Sequence, residues 1–590
     1  MPSDRSGHRR IVRRQAMGSA VPLQLPETLS PLLQRIYCRR SLKDAAELGR
    51  GLERMLPLQQ LAGLESAATL LHEKVAGQAR ILIVADFDAD GATSCALLTR
   101  GLRALGAGNV GYLVPDRFRF GYGLTPEIVQ VALQRKPDLL ITVDNGISSL
   151  QGVAAARRAG VAVLVTDHHL PGAELPDADV IVNPNQPGDR FPSKNLAGVG
   201  VVFYLLAALR RRLRERGWFA EQGITEPNLA DYLDLVALGT VADVVALDHN
   251  NRILVHQGLQ RIRAGRCVPG IRALVEIAGR GLGRLVASDL GFAVGPRLNA
   301  AGRLDDMSVG IECLLTDDPQ VAMDLARQLD RLNQQRRGIE QSMQVQALDQ
   351  VEQLLPRGEL PYGLCLYQPD WHQGVIGILA ARIRERWHRP VIAFAPGEEA
   401  GTIKGSARSI PGLHIRDTLD RVATTYPGLL EKFGGHAMAA GMSLRLDDLE
   451  RFSQAFDAEV RRHIDVDALQ DVIHSDGSLD DADLELAIAQ QLRDAGPWGQ
   501  AFPEPLFDDR FRIVSQRIVG ERHLKLQLET ETSGRMVDAI AFNQADPLPP
   551  DDALIHAAYK LDVNEFRGRR SLQLMVEYFE VISVFPNPCS

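Results

Sequence analysis

Three short apolar runs constrain the fold of this chain more than any other feature of its sequence. They are Ile81–Ala85, Leu139–Val143 and 161–165, each rich in β-branched residues and free of charge. Such runs are typical of strands that are buried on both faces of a parallel sheet. Helical patterns lie between them, including 148–159. Alternating strands and helices predict a doubly wound α/β domain.

The rest of the 590 residues is too long to share one hydrophobic core with this domain. A helical pattern over 317–355, with Leu325, Leu329 and Leu332 at helical spacing, ends at Pro356 and predicts a connector helix. A second α/β segment follows and opens with a strand at 363–367. The predicted division is 1–45 as N-terminal tail and lead-in, 46–315 and 357–465 as α/β domains on either side of a connector at 316–356, and 466–590 as a further domain.

The last 80 or so residues change from mixed to β-rich character. Alternating patterns predict five strands, at 511–519, 523–528, 536–542, 554–563 and 571–576. Five strands in so short a segment suit a small barrel such as an OB-fold. Strand number alone does not separate this from an SH3-like barrel or half of a sandwich.

Composition excludes several classes of protein. There is no run of eighteen apolar residues, so we expect no membrane span. The arginine-rich first twenty residues lack the apolar segment of a secretion signal and are interpreted as a disordered tail or as sequence upstream of a true start at Met17. The six cysteines include no CxxC pair, which argues against a zinc ribbon or a disulfide framework and favours the cytoplasm. The net charge of −8 does not by itself indicate a nucleic-acid-binding protein.

Carboxylates follow each of the three apolar runs. The residues concerned are Asp86, Asp88 and Asp90 after the first run, Asp144 after the second, and Asp167, His168 and His169 after the third. Because the carboxyl ends of parallel strands meet at one edge of a sheet, these side chains are expected to converge. Asp243 is a further charge inside an apolar run, which is costly unless it is paired or binds a metal.

These residue types suit metal-assisted cleavage of a phosphodiester. Two divalent ions can activate water and hold the phosphate oxygens, and hard oxygen ligands with an imidazole suit Mg²⁺ or Mn²⁺. A calcium loop is the alternative for the Asp86–Gly91 segment, but an EF-hand requires glutamate where this chain has Leu97. No P-loop pattern occurs, so we expect no requirement for ATP.

In order and content, these motifs resemble the DHH phosphoesterases, and within them the RecJ exonucleases. The further matching segments are 115–124, 196–200, 239–243, 295–303, 371–377, 404–410, 434–441 and 564–570. Together they span roughly residues 45 to 585. The resemblance implies a parallel-sheet DHH domain, a long connector helix, a smaller α/β DHHA1 domain and an OB-fold barrel.

The resemblance also implies roles for individual residues. The implied metal ligands are Asp88, Asp90, Asp144, His168 and Asp243, with Asp86 as a further ligand. Simpler DHH enzymes carry a histidine at the position of Val84, so either Asp86 substitutes for it or one ion binds weakly until substrate arrives. His169 is implied to stabilise charge near the scissile phosphate. The implied contacts to DNA or its 5′-phosphate are Arg117, Arg303, His372, Ser406, Arg408 and His436.

The implied activity is hydrolysis of single-stranded DNA from the 5′ end to 5′-mononucleotides, in repair and recombination. The strand is expected to pass between the DHH and DHHA1 domains and to bind the barrel further along. Implied partners are a single-stranded-DNA-binding protein and a helicase, and the chain is expected to be a monomer. One alternative is a DHH phosphoesterase for short oligonucleotides or cyclic dinucleotides. Another is an inactive scaffold, which the retained carboxylates disfavour.

Overall fold

The structure is a computed structural model that describes residues 9–15, 23–116, 120–354, 360–566 and 568–584. Within these residues the chain forms two compact units. One contains 334–475 with the segment up to Arg14, and the other contains 15–333 with 476 onward. The described helices include none that is both long and apolar enough to cross a bilayer.

The larger unit is built on a five-stranded, all-parallel sheet. In spatial order its strands are Val110–Leu113, Ile81–Ala85, Leu139–Val143, Ala162–Thr166 and Val180–Val182. The three central strands confirm the three apolar runs, the third displaced by one residue. Every residue of the first two is buried, which explains why their sequences show no alternation.

Helices surround this sheet and complete the α/β domain. They are Pro31–Tyr37, Leu64–Ala76, Ala89–Ala104, Pro126–Leu133, Leu150–Arg158, Gly198–Glu215, Trp218–Gln222, Leu233–Ala242, His249–Arg263, Pro269–Ile277, Gly295–Leu304 and Ser308–Leu315. The predicted long helix runs over Pro319–Leu354, within two residues of its predicted bounds. It starts in the larger unit and ends in the smaller one.

The larger unit also carries a closed five-stranded barrel. Its strands are Phe507–Val519, His523–Thr530, Met536–Ala541, Ala553–Phe566 and Arg569–Val584. Every predicted strand of this region is present, and closure confirms a barrel and excludes half of a sandwich. The helix Leu486–Ala495 precedes the barrel.

The lead-in to the parallel sheet packs on the segment that precedes the barrel. Arg40 and Asp476 form a two-point ion pair at 2.8 and 3.0 Å with both side chains fully buried. The rings of Tyr37, Trp498 and Phe502 stack beside it, with 5.1 Å between the last two centroids. Residues more than 400 positions apart in the chain therefore share one core.

The smaller unit is a mixed five-stranded sheet with three helices. The strands, in spatial order, are Lys432–Gly435, Ala439–Arg445, Thr402–Arg408, Val391–Pro396 and Leu364–Tyr367. The helices are Ile376–Trp387, Ile415–Thr425 and Leu449–His463. The interpretation of the whole N-terminus as disordered is wrong for Arg10–Arg13, which forms a parallel strand pair with Val472–Ser475.

Candidate metal centre

The carboxylates that follow the central strands converge at one edge of the parallel sheet, as expected. Three groups of side chains have ligand atoms that all lie within 4.8 Å of one another. They are Asp86 with Asp88 and Asp144, Asp90 with His168 and Asp243, and Asp144 with His168 and His169. All seven residues of the predicted metal and charge-stabilising set thus belong to one cluster.

His168 lies at the centre of this cluster. Its Nε2 atom is 3.1 Å from Asp144 Oδ1, 3.4 Å from Asp243 Oδ2 and 4.0 Å from Asp90 Oδ2. Neighbouring ligands of an octahedral ion with bonds of about 2.1 Å are about 3 Å apart, so these separations suit a shared cation. Both His168 Nε2 and Asp144 Oδ1 are buried and have no hydrogen-bond partner within the described part of the chain. Buried polar atoms are seldom left in this state, and a bound cation would satisfy both.

The electrostatics of the cluster also favour cations. Burial, followed by repulsion from Asp243, raises the pKa of Asp90 to about 7. Burial and the neighbouring Asp88 likewise raise the pKa of Asp243 to about 7, and burial raises that of Asp144 well above its usual value. Burial lowers the pKa of His168, which favours the neutral imidazole that binds metals. The site therefore concentrates negative charge that divalent ions would neutralise.

Asp90 is held in place by the start of a helix. Its two carboxylate oxygens accept hydrogen bonds from the backbone N–H groups of Gly198 and Val199, at 2.7 and 2.9 Å. These groups open the helix Gly198–Glu215, whose N-terminus favours negative charge. Glycine is required at 198 because a Cβ atom there would lie 2.8 Å from the Cβ and Oδ1 atoms of Asp144.

The loop that carries Asp88 is fixed by the helix Gly295–Leu304. Asn299 Oδ1 accepts the N–H of Ala89 at 2.8 Å, and a Cβ atom on Gly302 would lie 1.7 Å from the carbonyl oxygen of Phe87. Asp88 itself begins the next helix, accepting from Gly91 N–H at 3.0 Å. The 295–303 motif therefore positions this loop through its amide and its glycine.

Asp167 supports the two histidines that follow it. Its Oδ1 atom lies 2.7 Å from His169 Nδ1 and accepts the His168 N–H at 2.7 Å, while Oδ2 accepts the Ile147 N–H at 2.9 Å. Burial disfavours a charged His169 ring, but the bond to Asp167 outweighs this and raises its pKa to about 9. Asp167 is thus occupied in orienting the His169 ring and the backbone of His168, a supporting role common around metal ligands.

Two asparagines near the centre were missed by sequence reasoning, and Tyr122 was covered only as part of the 115–124 segment, without a role of its own. Asn183 and Asn185 donate side-chain N–H groups to the carbonyl oxygens of His169 and His168, at 2.9 and 2.6 Å. The Tyr122 hydroxyl donates to the Asp144 carbonyl at 3.2 Å, and its ring lies 5.9 Å from that of His169. The asparagines are isolated and carry no pattern that would have distinguished them in the sequence.

The predicted DNA contacts are distributed differently. Arg117 lies outside the described residues. Arg303 is half-buried near the end of the helix Gly295–Leu304 in the larger unit. The other four belong to the smaller unit; they are His372, Ser406, Arg408 and His436.

Ser406 and Arg408 are neighbours on one face of the strand Thr402–Arg408. Arg408 Nη1 donates to Ser406 Oγ at 3.1 Å, and both side chains reach the position of Gly377. Burial lowers the pKa of Arg408, yet no carboxylate among the described residues lies within 4.0 Å of it. His372 Nδ1 accepts the N–H of Gly374 at 3.0 Å, and His436 is exposed in a turn between two strands.

Comparison with known proteins gives the relationship of the chain. Three family models match it: the DHH family N-terminal domain over residues 80–240, the DHHA1 domain over 361–462 and the RecJ OB domain over 475–578. The single-stranded-DNA-specific exonuclease RecJ of Salmonella typhimurium is 57% identical over 96% of this chain and 98% of the relative. Its Escherichia coli counterpart is 58% identical over 94% and 96% of the two chains.

Solved structures agree with these relatives. The crystal structure of RecJ in complex with Mn²⁺ from Thermus thermophilus is 32% identical and superposes with a TM-score of 0.76, covering 94% of this chain and 76% of that one. A structure of the same protein with Mg²⁺ superposes with a TM-score of 0.71. With this identity over nearly the full length of its relatives, and with all three domain models in order, the chain belongs to the RecJ family of single-stranded-DNA-specific exonucleases.

Proposed function

We propose that this chain hydrolyses single-stranded DNA from its 5′ end and releases 5′-mononucleotides, in DNA repair and recombination. The observation that carries the proposal is the buried pair of Asp144 Oδ1 and His168 Nε2, which lie 3.1 Å apart with further carboxylates around them. Neither atom has a hydrogen-bond partner among the residues that the structure describes. Its relatives named as single-stranded-DNA-specific exonucleases support the choice of substrate.

The cluster divides into ligands for two divalent ions, Mn²⁺ or Mg²⁺. Asp90, His168 and Asp243 would hold one ion together with Asp144, and Asp86 and Asp88, also with Asp144, would hold the other. When bound, such ions supply an activated water and neutralise the charge of the phosphate. The relatives solved with Mn²⁺ and with Mg²⁺ support both identities. ATP has no role in this proposal.

The protein's own contribution is to hold these groups rigidly. Two backbone N–H groups fix the Asp90 carboxylate, so it cannot rotate away when substrate enters. Asp167 fixes the ring of His169 through Nδ1, and the Nε2 atom of this ring is proposed to contact the scissile phosphate. Preorganised polar groups of this kind stabilise charge without reorganisation during the reaction.

In the smaller unit, Ser406 and Arg408 are proposed to bind the 5′-phosphate. A guanidinium that is largely buried without a carboxylate partner retains N–H donors for an anion, and arginine binds phosphate through two parallel hydrogen bonds. Arg117, Arg303, His372 and His436 are proposed as further contacts to the strand. The barrel is proposed to bind DNA by stacking and backbone charge.

Further parts of the proposal rest on the family alone. A single-stranded-DNA-binding protein and a helicase are proposed as partners. The chain is proposed to be a monomer and to be located in the cytoplasm.

The test is a nuclease assay with Mn²⁺ on single-stranded DNA labelled at either end. Wild type is expected to release 5′-mononucleotides from the 5′ end, and Asp144→Ala to abolish release. The matched control is Asp447→Ala, an exposed aspartate in the smaller unit, which is expected to leave activity unchanged. Cleavage confined to dinucleotides or cyclic dinucleotides would contradict the proposal and favour a small-substrate phosphoesterase.

A further inference from the structure

An exposed aromatic side chain lies on a helical turn that packs against the segment leading to the proposed ligand Asp243, and it has no role in the proposed function. Phe292 is 81% exposed, the highest value among the large hydrophobic side chains that the structure describes. It belongs to a single turn of π-helix, Leu290–Val294, which directly precedes the helix Gly295–Leu304. Turns of this kind occur frequently at functional sites.

Two glycines beside Phe292 place it next to a proposed ligand. A Cβ atom on Gly291 would lie 3.3 Å from Val241 Cγ1, and one on Gly295 would lie 3.1 Å from Ala242 Cβ. Val241 and Ala242 immediately precede Asp243. The turn that carries Phe292 therefore packs against the end of the helix that leads into Asp243.

The residue after Asp243 is exposed and strained. Val244 has a φ angle of 62° and is 64% exposed. A β-branched residue in the left-handed region is a genuine outlier, and strain of this kind clusters at ligand-binding sites. Here the strained backbone directs an apolar side chain into solvent directly after a proposed metal ligand.

Other apolar side chains are exposed around the same centre. Leu170 follows His169 and is 59% exposed, and the Tyr122 ring, 49% exposed, lies 5.9 Å from that of His169. Single exposed apolar residues are normal on protein surfaces. Four of them adjoining three segments of one charged cluster indicate a surface that binds something apolar next to an anion. A nucleotide has this character, with an apolar base attached to a phosphate.

We propose that Phe292 forms a stacking surface for a base of the DNA strand whose phosphate occupies the metal centre. The inference rests on the proposed function and adds a base-binding subsite to it. Stacking tolerates any base, since each has a π face, and so it suits an exonuclease that must process every sequence. Holding the base would also keep the scissile phosphate in register with the ligands.

The experiment measures kcat/KM on 5′-phosphorylated single strands that are intact or carry one abasic residue at each of the first five positions. The proteins are wild type, Phe292→Ala, Phe292→Trp and the control Val466→Ala, which truncates an exposed apolar side chain in the smaller unit. Thermal melting verifies that each variant is folded.

On intact strands, Phe292→Ala is expected to lose about ten-fold, within the range known for base stacking, while Phe292→Trp and Val466→Ala stay near wild type. At one position an abasic residue should slow wild type by a similar factor and have no further effect on Phe292→Ala. Equal activity of Phe292→Ala and wild type would overturn the inference. The inference would also be overturned if the loss from Phe292→Ala and the loss from an abasic residue combine in full at every position, because the ring would then act without touching a base. If wild type does not degrade intact strands, the proposed function itself fails.

Discussion

Replacing Gly198 by alanine tests whether close packing around the cluster positions the metal ligands. The new Cβ atom would lie 2.8 Å from Asp144 Cβ and Oδ1, whereas ordinary contact begins near 3.5 Å. Because Gly198 also donates its N–H to Asp90, the helix start cannot retreat without disturbing a second ligand. Asp144 or the helix must therefore move by roughly 0.7 Å, the difference between those two distances.

A shift of this size should affect catalysis more than folding. Misplacement of a reacting group by about 1 Å can lower the rate about 100-fold, so we expect kcat/KM to fall roughly 10- to 100-fold. Overpacking should lower the free energy of unfolding by about 1–3 kcal/mol. The assay combines nuclease kinetics across a Mn²⁺ titration with calorimetric measurement of the Mn²⁺ affinity, which should weaken in parallel.

Gly200→Ala provides the matched control, two residues further along the same helix. Its Cβ atom would lie 2.5 Å from Cδ1 and 2.8 Å from Cγ of the buried Leu196, so it overpacks the core beside the site without touching a ligand. We expect nearly normal activity and a similar small loss of stability. If Gly198→Ala retains activity within two-fold of wild type, packing at this position does not set the ligand geometry.

Three further outcomes are expected. Arg40→Met should lower the free energy of unfolding by about 3–5 kcal/mol in urea, because it removes the two charged hydrogen bonds that Arg40 donates to the fully buried Asp476 carboxylate; a loss below about 1 kcal/mol would contradict this. His556→Gln should lower the melting temperature more at pH 5.5 than at pH 9. The hydrogen bond to Asp508 raises the pKa of His556 in the folded protein. Its stabilisation is therefore complete below the pKa of the unfolded state, about 6.5, and is lost as pH rises through the pKa of the folded state. An effect independent of pH would refute that account. Arg408→Lys should raise KM for strands with a 5′-phosphate more than for strands with a 5′-hydroxyl, since lysine cannot make the paired contact; equal effects on both would remove Arg408 from the phosphate site.

The central strands and the carboxylates that follow them could be predicted from the sequence because burial on both faces leaves a continuous apolar signal. The edge strand Val110–Leu113 was not predicted. It has four residues, includes a glycine and is only partly buried, so it lacks that signal. The short strand Val180–Val182 at the other edge was missed for the same reason.

Within the site, the sequence shows which residues are chemically capable but not which direction each one faces. Asp86, Asp144 and Asp167 each follow a strand, yet Asp167 turns its oxygens toward His169 and backbone N–H groups while Asp144 leaves an oxygen toward His168. That difference depends on backbone conformation, including the left-handed φ of 63° at Asp144. No periodicity in the chain encodes such an angle.

The order in which the proposed ligands occur along the chain has a consequence for synthesis in the cell. Asp86 is the first and Asp243 the last, and the sheet between them is parallel, so its neighbours are joined only through long crossovers. A ribosome-bound chain that has not yet exposed Asp243 has only a partial ligand set. A newly made chain therefore cannot assemble the proposed metal centre until most of its first domain has been translated and folded.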